Sequence, residues 1–522
     1  MGIYLNPGLS SFKEDRNTRY YIDKSMLISL LNGRIERSSS KYICVSRPRR
    51  FGKSMAADMI AAYYSKGVDS HDAFSGLKIA SDPSFEENIN RYNVIKLDMN
   101  NAVNMKGERS IAEYIDGKVL PELRTGFPDV PIPEGSRLPD AIQAIYSHTG
   151  ERFVFIIDEY DIVIRDPRFR DDLEGYLGLL VSLFKGAEVN VAIALAYLTG
   201  IMPIVKDVVQ SKLNNFTEYT MLDAMDMAPF MGFTTEEVEG LCKEHGFPFE
   251  EMRRWYDGYS LNGIDLYSPR SVISALERKR CDCYWTATSS YEVISTYIAM
   301  DFDGIRESVV SMIGGGEEEV NTRKFNNTLT SFRSKDDIFT YLSHLGYLAY
   351  DMDSKTCRIP NREVLSEWVN AIEDDRDYSR VAEVVKGSRR LLEATWEMDE
   401  EAVASSIART HMEVTSNLTY NNEGSFQSAI RLAYFYADMY YTVVSELPAG
   451  KGYADVAFIP YVPSVPAMVV ELKRNSAAGT AIGQIRERRY PEGLEKYRGS
   501  MLLVGIGYDE RTKEHWCRIE RA

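Results

Sequence analysis

Two groups of residues in this sequence have the types and spacing that phosphate chemistry needs. The first is Gly52-Lys53-Ser54, within SRPRRFGKSM (46–55). A phosphate-binding loop is usually written G-x-x-x-x-G-K-[S/T]. Its backbone N–H groups cradle the phosphates, the lysine reaches the β- and γ-phosphates, and the hydroxyl ligates Mg2+. Here the second glycine, the lysine and the serine are in place, but Arg47 stands at the first glycine position and Arg49 and Arg50 follow. Downstream, FVFIIDE (153–159) carries Asp158 to the end of an apolar run, with Glu159 beside it. A carboxylate there can hold hydrated Mg2+, and its neighbour can orient and polarise an attacking water. Alone, the first motif is a solvated turn as readily as a site, and the second a helix cap. Together, in this order, they point to ATP bound with Mg2+. Thr199, at the end of the next apolar run, has two readings of equal weight: a hydroxyl that senses the γ-phosphate, or a strand-end turn residue. The expected nucleotide-binding set is Arg50, Phe51, Gly52, Lys53, Ser54, Asp158 and Thr199, with Ser54 and Asp158 on the metal and Glu159 on the water.

The second group is Asp455 with Glu471 and Lys473. Glu471 and Lys473 are at i and i+2 of one strand, so their side chains share a face. A connection through PYVPSVP (460–466) can bring Asp455 beside them. Carboxylates from adjacent strands hold Mg2+ through oxygen, the metal acidifies a bound water, and the lysine steadies charge developing on phosphorus. The plain alternative is a strand that solvates its polar face with alternating acid and lysine. From Lys473 to Arg498 there are seven Lys or Arg and three acids, a basic stretch in a chain of net charge −16. Such a local patch suits a nucleic-acid backbone that the whole molecule otherwise repels. Tyr490 and Tyr497 lie inside it, as base-stacking rings or, more plainly, as packing. Glu423 is a further carboxylate whose plainer role is helix-start charge.

The elements that must position these residues follow from apolar patterning. Residues 41–46, 92–100, 152–161 and 190–200 read as buried strands, the third ending in acids. A helix-forming stretch after 54 stops at Gly67. Continuous apolar strands separated by helices mean a parallel sheet covered on both faces. Residues 233–246 open with Thr ahead of acids, a helix start. WYDGYSLNG (255–263) is turn-rich, and 336–364 reads helix, strand, turn, strand, a winged-helix-like order. Near the C-terminus, 424–441 reads as one long amphipathic helix, followed by strands 452–460 and 467–475, a helix at 480–490 and a strand at 500–509.

The chain has 522 residues, 44% of them hydrophobic and 26% charged, which suits several globular domains. No stretch approaches the roughly 20 apolar residues of a membrane span. The six cysteines are scattered, and Cys242, His245, Cys281 and Cys283 read as ordinary thiols and imidazole rather than a zinc site. A cytoplasmic protein without a membrane partner is expected.

YYIDKSMLISLL (20–31), RPRRFGKSM, FIIDEYD, YLTGIMPI (197–204), LNN (213–215), WYDGYS and LGYLAY (345–350) together resemble the AAA-ATPase-like proteins of bacteria and archaea that carry a C-terminal PD-(D/E)xK nuclease-superfamily domain. The resemblance spans nearly the whole chain, and RPRRFGKS is its most specific part; that family writes arginine and proline ahead of FGKS. It departs at 202–206, where Lys206 is the one candidate for a basic γ-phosphate sensor. It implies a catalytic triad of Asp455, Glu471 and Lys473, with Gln484 as an accessory on the following helix. The implied fold is α/β: an AAA-type P-loop core over 1–222, a helical and winged-helix-like region over 223–375, and a restriction-endonuclease-like domain over 376–522. The implied function is ATP binding and hydrolysis coupled to a Mg2+-dependent nuclease acting on DNA or RNA. The alternative is an ATP-dependent binding switch whose nuclease fold does not cut. A homo-oligomer is compatible with this, but no single arginine stands out as a donor across a subunit interface.

Overall fold

The computed structural model describes residues 2–204, 213–285, 292–300, 302, 304–325, 332–373, 379–415, 430–449, 452–461, 465–474, 481–483, 485, 497–509, 511–512 and 514–522. It contains two compact units, Met1–Ser290 with Glu319–Val364, and Tyr291–Glu318 with Leu365–Ala522.

The first unit is built on β1 (Tyr42–Ser46), β2 (Asn93–Asp98), β3 (Phe153–Asp158), β4 (Ile193–Gly200) and β5 (Thr217–Tyr219). They form one sheet in the order β2-β3-β4-β1-β5, and every pairing is parallel. β1, β3 and β4 are buried along their whole length. One face packs the helices Ile111–Gly126, Leu138–Thr149 and Leu173–Phe184; the other packs Met26–Asn32 and Lys53–Tyr64. The four strands expected from the sequence are present. The fifth, only three residues long, gives no periodicity to read.

The rest of this unit follows local signals closely. Thr234 and Glu237 form a capping box at the start of the Thr235–His245 helix, and Gly246 ends it in the left-handed conformation. The turn-rich aromatic stretch is a hairpin of β7 (Tyr259–Leu261) and β8 (Ile264–Tyr267), joined at its edge by β6 (Phe233–Thr234). Helix Lys335–Leu345 leads to the antiparallel pair β9 (Ala349–Asp351) and β10 (Thr356–Arg358), the helix–strand–turn–strand order read from 336–364.

The second unit is a mixed sheet of β11 (Tyr441–Ala449), β12 (Gly452–Pro460), β13 (Ala467–Arg474), β14 (Met501–Tyr508) and β15 (His515–Arg521), in that order. Only β13 and β14 run parallel. Helices Ser379–Trp396 and Glu400–Thr415 contribute Leu392, Val403 and Ile407 to the core on one face. Ile482 and Ile485 cover Ala457, Val469 and Leu503 on the other. The long helix expected over 424–441 is corrected at its end. Residues 430–433 are helical, Phe435–Met439 form a 3-10 turn, and β11 has begun by Tyr441. Tyr441, Val443 and Tyr440 pack against the sheet core, so tertiary burial overrides the helical pattern. β15 is not among the strands expected from the sequence, because in HWCRIER only Cys517 and Ile519 alternate as apolar residues among charged ones.

Candidate functional sites

In a parallel sheet all strands end at one edge, which is where such folds bind ligands. β1 ends at Ser46 and the chain turns through 47–52 into helix Lys53–Tyr64. Gly52 has φ of 88°, a backbone state that favours glycine, at the helix start where N–H groups are unpaired. Without the first glycine, the loop is fixed from outside. Phe51 is buried, its ring edge-on to Tyr259 at 5.9 Å, and its carbonyl accepts from Gly232 N at 3.1 Å. Trp285 Nε1 donates to Arg49 O at 2.9 Å. The arginine run divides by function. Arg47 is fully buried and donates through Nη1 to Ser46 O at 2.9 Å and Tyr219 O at 3.2 Å, tying the loop to β5. Burial pushes its pKa down to about 10. Arg49 and Arg50 are exposed, and Arg50, with φ of 67°, has its pKa lowered by desolvation and by the nearby Arg270 and Arg49. Concentrated positive charge of this kind favours an anionic ligand.

Lys53 is 5% exposed and donates from Nζ to the carbonyls of Arg47 at 3.1 Å and Pro48 at 3.0 Å. Its Nζ is 4.0 Å from Glu159 Oε1. Burial lowers its pKa, against the pull of Glu159 and Asp158. Because β4 lies between β1 and β3, three strand ends converge. Ser54 Oγ donates to Asp158 Oδ2 at 2.6 Å, and the Thr199 hydroxyl donates to Asp158 Oδ1. This is an all-oxygen set of the kind that suits Mg2+. Glu159 sits beside it with φ of 53°, its pKa raised by burial, and Arg165 Nη2 lies 3.3 Å from Glu159 Oε2. Asp161 completes the support: its Oδ2 accepts from Ile201 N at 3.1 Å and Met202 N at 2.9 Å.

In the second unit, Val456 pairs with Val470 at the end of the ladder, and Asp455 and Glu471 are the next residue on each strand, on the face bearing Ala457 and Val469. Asp455 Oδ2 accepts from Leu472 N at 2.6 Å. Glu471 is buried, and Lys473 Nζ donates to Glu471 Oε1 at 3.2 Å. The three residues expected from spacing are therefore together on one face. Among the described residues, no group of three or more His, Cys, Asp or Glu side chains forms a ready metal cage. A cation at Asp455 and Glu471 would complete its shell with water and phosphate oxygens. None of the six cysteines is in a disulfide, and burial raises Cys242 to about 11 and Cys281 to about 12, which keeps both protonated. Among the described residues, no helix is long and apolar enough to cross a membrane.

Residues 7–210 match the family described as a predicted AAA-ATPase (AAA-ATPase-like), and residues 421–516 match the PD-(D/E)XK nuclease superfamily. The chain pairs an AAA-ATPase-like domain with a C-terminal PD-(D/E)XK nuclease-superfamily domain. A curated relative from Azotobacter chroococcum mcd 1, described as an uncharacterized protein in the vnfD 5′ region, is 25% identical over 291 residues, 54% of each chain. The chain thus spans about half the length of that relative. Among solved structures, the Aeropyrum pernix ORC2 protein in its ADPNP–ADP complexes is 12% identical with a TM-score of 0.34, covering 70% of this chain and 97% of that one. The Aeropyrum pernix ORC1 protein in complex with DNA is 11% identical with a TM-score of 0.24, covering 73% and 100%.

The first unit also holds a feature that the motifs did not reveal. A cavity of about 330 Å3 opens beside Gly52, lined by Tyr20, Tyr21, Ile22, Met55, Met59 and Ile273 among others. Its size and apolar lining suit a flat heterocycle next to the phosphate loop. Its walls come from segments more than 200 residues apart, so no local spacing announces it. In the nuclease-superfamily domain, Tyr497 is packing: its hydroxyl donates to Pro460 O at 3.2 Å and its ring joins the Ala457–Val469 cluster. Gln484, Glu423, Tyr490 and Lys206 lie outside the described residues.

Proposed function

We propose that this protein binds and hydrolyses ATP at the edge of its parallel sheet, and that nucleotide state governs a Mg2+-dependent nuclease site at Asp455, Glu471 and Lys473 acting on nucleic acid. The observation that carries the first half is the meeting of Ser54, Asp158 and Thr199 beside Lys53 and Glu159. Lys53 exchanges the carbonyls of Arg47 and Pro48 for phosphate oxygens. The Gly52 turn and the N–H groups of the helix start receive the phosphate chain, and the cavity beside Gly52 takes the base. Glu159, made more basic by burial, takes a proton from the attacking water as a carboxylate, while Arg165 holds it in place. Ser54 and Asp158 would hold Mg2+, which supplies charge neutralisation across the phosphates.

In the nuclease-superfamily domain, Asp455 and Glu471 would hold a divalent cation that supplies an acidified water and charge stabilisation at phosphorus. Lys473, already directed at Glu471 Oε1, is placed to donate to the same reaction centre. The chain would act in the cytoplasm.

The test is purified full-length protein with ATP and Mg2+ against labelled DNA and RNA, single- and double-stranded. Glu159→Gln should retain ATP and lose turnover. Glu471→Ala should abolish cleavage and leave ATP turnover intact. Nucleic acid that is bound but uncut in both Mg2+ and Mn2+ would replace the nuclease half with a non-cleaving switch.

A further inference from the structure

On the face of the second sheet that carries Asp455 and Glu471, the rows of paired residues can be followed across strands. Paired residues share a face. Glu471 pairs with Gly505. In the next row, Lys473 pairs with Gly507, and Gly507 pairs with Trp516 of the edge strand β15. Lys473, Gly507 and Trp516 therefore stand in one line on one face, each a single strand spacing, about 4.8 Å, from the next.

The indole does not stay above its own strand. The point where a Cβ on Gly507 would stand is 1.8 Å from Trp516 Cε2, 1.9 Å from Cζ2 and 2.3 Å from Nε1. These three atoms form one edge of the indole, so the side chain reaches from its own strand across Gly507, toward the strand that carries Lys473. Trp516 is half-buried and belongs to neither hydrophobic cluster of the sheet. A large aromatic side chain on an edge strand usually finds a core, and edges are usually blunted with charge. Here the indole occupies the space that Gly507 leaves open, and the residue keeps partial exposure in the row that holds the lysine of the candidate site.

We propose that Trp516 is a stacking platform for an unpaired nucleobase next to the Asp455–Glu471–Lys473 site, so that this site takes single-stranded nucleic acid. The proposal rests on the reading of that site as one for nucleic acid. Every base has a π-face, and stacking on an aromatic ring is tolerant of sequence. In a duplex those faces are covered by neighbouring bases, so the platform selects for strands that are already open. Gly507 has a defined part: any side chain there would lift the indole off the sheet.

The test uses the full-length chain with Ca2+ in place of Mg2+, and measures anisotropy of a labelled oligo(dT) of about 20 nucleotides, longer than typical single-strand site sizes, and of a blunt duplex of equal length. Trp516→Leu should weaken oligo(dT) binding roughly 5–150-fold and leave duplex binding unchanged, and Trp516→Phe should restore most of the loss. Equal oligo(dT) affinity in the three proteins overturns the proposal and leaves the indole as a cover for Gly507. So does an equal loss on both ligands. If Trp516→Leu does not fold, photo-crosslinking of the wild-type chain to oligo(dT) carrying 5-iodouracil decides: a crosslink at Trp516 supports the platform, and crosslinks only elsewhere overturn it. A wild-type chain that binds neither ligand removes the nucleic-acid reading itself, and the platform with it.

Discussion

Ser54 Oγ donates to Asp158 Oδ2 at 2.6 Å, although the two residues are 104 positions apart. The same carboxylate accepts from the Thr199 hydroxyl and, at 3.0 Å, from Glu159 N. Asp158 is 6% exposed, so its charge is held by donors rather than by water. Its two hydroxyl partners differ in burial: Thr199 is fully buried, whereas Ser54 is exposed.

That difference separates two variants. Thr199→Val removes a donor from a buried carboxylate and should cost about 1–3 kcal/mol of stability in urea denaturation. Ser54→Ala leaves an exposed position and should shift stability by less than about 0.5 kcal/mol. It should still weaken Mg2+-dependent ATP binding roughly 10–100-fold, the range for a hydrogen bond to a charged group. Equal effects of the two variants on stability would contradict this assignment.

Lys53 is a buried cation that donates to two backbone carbonyls. Burial lowers its pKa, so the folded state disfavours its charge. Lys53→Met keeps the stem and removes the charge. The nucleotide-free protein should therefore melt no lower than wild type, while ATP-induced stabilisation disappears. Calorimetric scans with and without Mg-ATP read both effects, and a variant that loses stability without ATP argues against a desolvated lysine.

Asp15 faces the same unit from the Ser10–Arg16 helix, and burial followed by the Asp58 charge pushes its pKa up to about 6. Its folded pKa exceeds its unfolded value of about 3.9. Stability contributed by the proton is thus present at low pH and lost as pH rises from about 4 to 6. Asp15→Asn should flatten that limb and stabilise the protein at neutral pH by about 1 kcal/mol, after allowance for partial exposure. Denaturation midpoints measured between these pH values, in wild type and variant, would expose an absent or inverted slope.

Gly258, inside WYDGYS, has φ of 131°, and a Cβ there would stand 1.8 Å from Pro360 O. Neither atom belongs to a flexible side chain. Gly258→Ala should destabilise the protein by roughly 2–5 kcal/mol, from backbone strain and a forced shift of the Pro360 segment. A melting temperature within a degree or so of wild type would mean that this close approach is not needed.

The sequence by itself determined the parts that depend on near neighbours in the chain. The buried strands, the helix after Gly52, the Thr234–Glu237 cap and the i, i+2 placement of Glu471 and Lys473 follow from local period and side-chain chemistry. Of the motif residues, Ser54 and Asp158 meet in a hydrogen bond, and Lys53 lies 4.0 Å from Glu159. Strand order was decided only by the tertiary structure: inserting β4 between β1 and β3 is what brings Thr199 onto Asp158 and turns an even choice into a contact. The buried fate of Arg47, the cavity beside Gly52, the switch from helix to strand at Tyr441 and the indole over Gly507 are likewise products of packing. Each joins segments far apart in the chain, and no propensity or spacing encodes which distant surface will cover a residue.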